Sequence, residues 1–293
     1  MLSTGMPEEP SKSMNRRISE KFWSQFWKLL IRNMNEWLRI KIEGSIRWGM
    51  VHVLSGCLPL YIVTEYPKSG GSWVSQMLSG YLRVPFPRNQ FPRFESCIMH
   101  GHYLYSPFLK NVFCVMRDGR DIMVSFYYYS LFKNERFNAK LVELSRKEVP
   151  FKDFDNINKN LAAFIEYKFT CKKHPGFTWS EFVNHWMNKA VAIVKYENLL
   201  RDPVKELGSA INKVTGVKPY EKRLEEIVDR YSFKRVAKRN PGEEDKHSFL
   251  RKGIAGDWKN VFSKEAKALF NYYAGKELIR LGYEKDETWV DGN

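Results

Sequence analysis

The spacing of apolar and polar residues changes period several times along the chain, and each change marks an element. Ile18, Phe22, Phe26, Leu29, Leu30, Met34, Trp37 and Ile40 recur at helical spacing, interleaved with Arg16, Arg17, Lys21, Lys28, Arg32, Arg39 and Lys41. Residues 16–50 therefore predict a basic amphipathic helix, which can lie on an anionic membrane surface or pack its apolar stripe on the main domain. From residue 59 short runs rich in Val, Ile, Phe and Tyr predict strands over 60–65, 96–100, 111–116 and 191–195. Helical stretches are expected over 72–82, 119–131, 159–170, 179–188, 203–215, 220–230 and 263–281. Strands separated by helices predict an α/β fold, a single domain over 59–293 with a central, mainly parallel sheet flanked by helices. Residues 1–15 have no period and predict a disordered tail, followed by a helical extension over 16–58. The Pro-rich, aromatic segment 84–95 predicts a rigid surface loop.

Composition narrows the partners. The chain has 293 residues, 43% of them hydrophobic, and a formal net charge of +15. Such a chain can bury a real core, and its charge favours anionic partners, unless it is simply a basic solubility surface. The four cysteines, Cys57, Cys97, Cys114 and Cys171, show no metal spacing. Cys114 sits in an apolar strand and Cys97 beside one, as small buried hydrophobes do. A reducing compartment is the simpler reading. The polar stretch Met1 to Lys12 has no apolar core of signal-peptide length, and no run approaches bilayer length. The expectation is a cytoplasmic protein, with peripheral membrane contact through residues 16–50 left open.

Three segments carry candidate chemistry. Residues 67–73, Pro-Lys-Ser-Gly-Gly-Ser-Trp, follow the first strand and open a helix. That turn aims backbone N–H groups and a helix N-terminus at one spot, which suits a phosphate or sulfate. It is not the triphosphate loop G-x-x-x-x-G-K-[ST], because its Lys precedes the glycines. The second segment is an apolar strand ending at Arg117, with Ser125 two turns into the next helix. Arg117 can grip a phosphate by paired hydrogen bonds, or form a structural salt bridge with Asp118 or Asp121. The third is Arg251-Lys252-Gly253 followed by Gly256-Asp257-Trp258-Lys259-Asn260. It reads as a basic, flexible anion cover or as an ordinary solvated turn.

Taken in this order, P-K-S-G-G-S-W, R-(x)7-S and R-K-G-x-x-G-D-W-K-N, the chain resembles the cytosolic-type sulfotransferases that use 3′-phosphoadenosine 5′-phosphosulfate (PAPS). The resemblance runs from about residue 59 to about 281 and implies a fold related to the nucleotide-triphosphate-binding proteins. It implies that Lys68, Ser69, Gly70, Gly71, Ser72 and Trp73 hold the 5′-phosphosulfate, Trp73 also stacking on adenine. It implies that Arg117 and Ser125 bind the 3′-phosphate together with Arg251, Lys252 and Gly253. Tyr196 and the pair Ser232-Phe233 match positions that line the adenine pocket. The implied reaction moves a sulfuryl group from PAPS to a hydroxyl or amino group of a small-molecule acceptor. Adenosine 3′,5′-bisphosphate (PAP) is released, and neither a metal nor a nucleic-acid partner is implied. The oligomeric state stays open.

The family's catalytic His lies in a Lys-Thr-His trio, and here that place reads His100-Gly101-His102. The resemblance puts His102 on the base and His100 on the Lys, with His100 as the alternative base. Lys68 would then be the lysine at the bridging oxygen. The loop departs from the pattern too, with Gly71 and Ser72 where two Thr are common. The residues matching a dimer motif, Lys259, Ser263, Lys264 and Ala268, depart from it as well. For the acceptor, Phe126-Tyr127-Tyr128-Tyr129 and Phe132 could line an apolar pocket, and His247 could approach substrate. Arg88 and Arg93 instead suit a glycan or other acidic acceptor, and the basic helix suits a lipid-linked one. The rival readings are a P-loop kinase or NTPase and a non-catalytic polyanion-binding protein.

Overall fold

Four short strands, β1 (Leu60–Glu65), β2 (Cys97–Gly101), β3 (Val112–Met116) and β4 (Ala192–Lys195), form one parallel sheet in the order β2-β1-β3-β4. Each falls within a residue or two of its expected span, because buried parallel strands read as apolar runs bounded by turns. The computed structural model describes residues 36–88, 95–135 and 138–291, with Gln25 and Leu29 as separate helical positions. The expected tail over 1–15, most of the basic stretch over 16–35 and Arg93 lie outside the described residues.

The helices are α1 (Glu36–His52), α2 (Gly71–Leu82), α3 (Gly119–Leu131), α4 (Ala139–Glu148), α5 (Ile157–Thr170) and α6 (Trp179–Trp186). They continue as α7 (Tyr196–Arg201), α8 (Pro203–Thr215), α9 (Glu221–Arg230), α10 (Phe233–Ala237) and α11 (Lys264–Arg280). Strand alternation splits the core into two layers. Val63, Ile98, Phe113, Val115 and Val194 pack with Val74, Met77 and Leu78 of α2 and with Leu207, Ile211, Leu224 and Ile227 of α8 and α9. Leu60, Ile62, Met99, Cys114 and Met116 face the larger layer, built with α3, α5, α6 and α11.

Met50 and Val51 of α1 are buried in that second layer, so the C-terminal turn of α1 is packed on the domain. Its Arg47 donates to the Pro87 carbonyl at 2.8 Å. Cys97 and Cys114 are buried, Cys57 is exposed, and none of the four forms a disulfide. Among the described residues no helix is long and apolar enough to cross a membrane.

The strand order sets the site. The chain leaves β1 for β2 on one side and returns to β3 on the other, so the order reverses between β1 and β3. In open parallel sheets the crevice at such a reversal, at the carboxyl ends of the strands, is where ligands bind.

Candidate functional site

Every strand delivers a candidate side chain to that crevice. Its cavity, of about 770 Å³, is lined by His100 and His102 from β2 and the turn after it, and by Glu65 and Lys68 at the end of β1. Arg117 follows β3, and Tyr196 follows β4. Gly70, Ser72 and Trp73 also line it, as do Ser125, Phe233, Arg251, Lys252 and Gly253. Ser69, Gly71 and Ser232 are not on the wall. The Ser69 hydroxyl donates to the Tyr66 carbonyl at 2.7 Å inside the turn, and Ser232 is the residue before α10.

The loop after β1 is a strained cradle. Gly70 holds φ at 103°, and a Cβ there would lie 2.8 Å from the Tyr196 ring. Lys68 is also left-handed, with φ of 74°, a conformation that costs a non-glycine residue about 1 kcal/mol or more. Arg117 holds it. Its Nη1 donates to the Lys68 carbonyl at 3.0 Å and its Nη2 to the Ile254 carbonyl at 3.2 Å. Its guanidinium lies over the Tyr196 ring at 4.1 Å. The expected ion pair is present only as a long one, 4.0 Å from Asp121. Asp118 pairs instead with Arg120 at 2.7 Å.

Lys68 Nζ sits 3.9 Å above the Phe249 ring and 4.5 Å above that of Tyr129. Burial pushes its pKa down; Glu65 and Glu135 oppose this, Arg117 and Arg88 add to it, and it rests at about 7. The Trp73 indole donates to the Tyr231 carbonyl at 2.8 Å, fixing the ring beside Tyr196.

The third loop is anchored rather than flexible. Asp257 accepts from Arg251 at 2.5 Å and from Lys252 at 2.6 Å. Arg251 also pairs with Glu244. Asp121 caps the following turn, accepting the Gly256 N–H at 2.7 Å and the Trp258 N–H at 3.0 Å. Gly253, with φ of 66°, leaves room for the Phe233 ring, which a Cβ would meet at 2.4 Å. Five buried side-chain polar atoms among the described residues lack a hydrogen-bond partner, and two are Arg117 Nε and Arg251 Nε. Arg117 and Arg251 line the same cavity, and two guanidinium cations there suit a polyanion.

The two histidines differ in their partners. His102 Nδ1 lies 3.0 Å from the Glu65 carbonyl. A carbonyl only accepts, so Nδ1 carries the hydrogen and Nε2 keeps its lone pair. The next residue is pinned, since the Tyr103 carbonyl accepts from Thr64 Oγ1 and Trp186 Nε1, both at 2.9 Å. His102 is exposed to the cavity yet surrounded by protein. That desolvation lowers its pKa, the Glu65 charge opposes it, and His100 adds to the lowering. His100 Nε2 instead faces Glu65 Oε1 at 2.9 Å.

Two expectations about the acceptor end, the aromatic run as a pocket wall and His247 near substrate, are corrected. Phe126, Tyr127, Tyr128 and Phe132 are buried core, because consecutive residues spread around a helix that is covered on all sides; Tyr129 reaches the cavity. His247 is exposed and stacks edge-on to Phe132, off the cavity wall. The sequence reading missed Glu43, Arg47, Asn134 and Glu135 on the wall. It also missed Glu65, whose signal was a charge ending an otherwise apolar strand.

The family model described as a sulfotransferase domain matches residues 88–282, more than half of the chain. The match spans His100, His102, Arg117 and Arg251 but begins after the 67–73 loop. Sulfotransferase 1E1 of Cavia porcellus is 24% identical over 279 residues, covering 79% of this chain and 87% of that one. Sulfotransferase 1 family member D1 of Mus musculus is 25% identical over 264 residues, covering 74% and 82%. The crystal structure of mouse sulfotransferase SULT7A1 complexed with PAP shares the fold, with a TM-score of 0.56 at 20% identity over 78% of this chain and 88% of that one.

The anchoring of the third loop is directly testable. Asp257→Ala removes the common partner of Arg251 and Lys252. Limited trypsin digestion is expected to cut after Arg251 or Lys252 several-fold faster than in the unaltered protein; equal rates would show that Asp257 does not hold the loop.

Proposed function

The chain belongs to the sulfotransferase domain family, and on that premise we propose that it transfers a sulfuryl group from PAPS to a hydroxyl or amino group of a small polar acceptor. The observation that carries the site assignment is the pair of anion-seeking ends on one cavity. The strained Lys68 loop at the start of α2 forms one end. Arg117 and Arg251, each with an unpartnered buried Nε, form the other. PAP carries phosphate at both ends of its nucleoside, and PAPS adds a sulfate at one of them. Trp73, Tyr196 and Phe233 offer aromatic faces between the ends, suited to an adenine. Ser125 adds a hydroxyl near Arg117.

In this reading His102 is the base. Its Nε2 takes the acceptor's proton while the acceptor atom bonds to sulfur. The bond from sulfur to the bridging oxygen breaks, and its electron pair leaves with PAP. Lys68 stabilises that charge as a positioned donor. The lowered pKa of His102 keeps its imidazole neutral and proton-accepting at neutral pH. The wall also carries Glu43, Arg47, Arg88, Asn134 and Glu135 beside the apolar Leu200, Val236, Leu250 and Ile254, and this charged set supports a polar acceptor over a sterol-like one.

The experiment is transfer of labelled sulfate from PAPS to a panel of amines, phenols, sugars and sterols. Transfer to a polar hydroxyl or amine supports the reading, and transfer confined to sterols overturns the acceptor assignment. His102→Ala should bind PAP as the unaltered protein does and lose turnover by about a hundredfold or more. If only His100→Ala behaves so, the base is His100.

Lys68 gives a pH signature. At about 7 its amine is largely neutral above neutrality, and a bound polyanion raises its pKa, so binding takes up a proton there. PAP affinity should therefore fall by up to about tenfold per pH unit above pH 7, and stay flat in Lys68→Met. Calorimetry in two buffers of different ionisation enthalpy checks the proton uptake.

A further inference from the structure

Two departures from the family pattern, Gly71 in the loop and His100 in place of a Lys, meet at one side chain that the resemblance does not mention. Glu65 ends β1 and is 4% exposed. Val63 pairs in register with His100, so Glu65 and His100 stand on the same face of the sheet, at the N-terminus of α2. Glu65 Oε2 accepts the Gly71 N–H at 2.6 Å, while Oε1 faces His100 Nε2. A Cβ at residue 71 would lie 2.7 Å from Glu65 Cδ and 2.8 Å from His100 Nε2. The carboxylate thus fills the space that a side chain at 71 would need. Glu at 65, no Cβ at 71 and an imidazole at 100 form one arrangement.

A carboxylate buried in an anion cradle opposes the binding of a polyanion unless neighbouring groups offset it. The charged and titratable groups facing Glu65 are Lys68 from the loop, His100 and His102 from β2 and its turn, and Tyr129 from α3. Burial alone raises the Glu65 pKa, but His100, His102 and the Gly71 amide outweigh it and the net direction is down. Glu65 is therefore ionised at neutral pH and can only accept, so His100 Nε2 carries a hydrogen. Its backbone carbonyl meanwhile takes the Nδ1 hydrogen of His102.

We propose, building on the transferase reading above, that Glu65 is a positioning residue for sulfuryl transfer. Its carboxylate fixes the His100 ring through the Nε2 hydrogen, and its carbonyl fixes the His102 ring through the Nδ1 hydrogen, leaving His102 Nε2 free to act as the base. One residue thereby sets two neighbouring imidazoles in opposite tautomers. It also accounts for Gly71.

The test uses the full chain. Glu65→Gln keeps the shape and an acceptor for the Gly71 N–H but removes the charge. PAP affinity and donor KM should stay within about threefold, while kcat falls roughly ten- to a hundredfold. In nitrogen-15 spectra of histidine-labelled protein, His100 should lose its Nε2–H form while His102 keeps its Nδ1–H form. Gly71→Ala alone should lose PAP binding, and Gly71→Ala with Glu65→Ser should regain binding without regaining kcat. Unaltered kcat and unaltered His100 signals in Glu65→Gln overturn the proposal, as does full PAP binding by Gly71→Ala. An unaltered protein that neither binds PAP nor transfers sulfate overturns the transferase reading itself; the His100 signals still report whether Glu65 holds that ring.

Discussion

Arg117 leaves the carboxyl end of β3 and bonds at once to the backbone of two other loops, through the carbonyls of Lys68 and Ile254, while lying on the ring of Tyr196. Loops that follow β1, β3 and β4 and the loop before α11 are joined through this one planar cation. A lysine could not do the same, since it lacks the fixed fork that serves two acceptors and a ring face together. The strained backbone at Lys68 persists because its carbonyl is held from this side and its neighbour Ser69 is tied to Tyr66. Without that clamp the loop has little reason to keep its left-handed backbone at Lys68.

Around the clamp, buried charge is matched almost residue by residue. Asp121 caps the Gly256 turn, Asp257 gathers Arg251 and Lys252, and Glu197 accepts from the Asp118 N–H and the Tyr283 hydroxyl. Asp118 is paired to Arg120, which lies 3.7 Å over the Trp258 ring. The consequence is a basic site that is preorganised rather than merely positive. Its cations already stand in place, and Arg117 and Arg251 line the same cavity. Fixed donors of this kind stabilise developing charge without having to reorganise.

Much of this was legible in the residues. The four strands were apolar runs, and the order of the Lys68, Arg117 and Arg251 segments named the family that the comparison supports. α4 was missed because it is charged nearly all round and buries little beyond Val142 and Ser145. α7 was missed because its six residues are too few to show a period. The aromatic run Phe126 to Tyr129 was read as a pocket wall because sequence does not reveal which faces of a helix are covered. The Glu65, Gly71 and His100 arrangement was invisible for a different reason. It depends on the parallel register of β1 and β2, which sets side by side two residues 35 positions apart. Sequence showed each departure singly and could not show that they share a cause.

The central claim is a two-ended grip, with the Lys68 loop on one phosphate and Arg117 with Arg251 on the other. Calorimetric titration with PAP and with adenosine 5′-phosphate, which lacks the 3′-phosphate, tests it most directly. The account predicts that losing the 3′-phosphate weakens binding by about a hundredfold or more, since a buried guanidinium pair is then left without its anion. Equal affinity for the two nucleotides would contradict it.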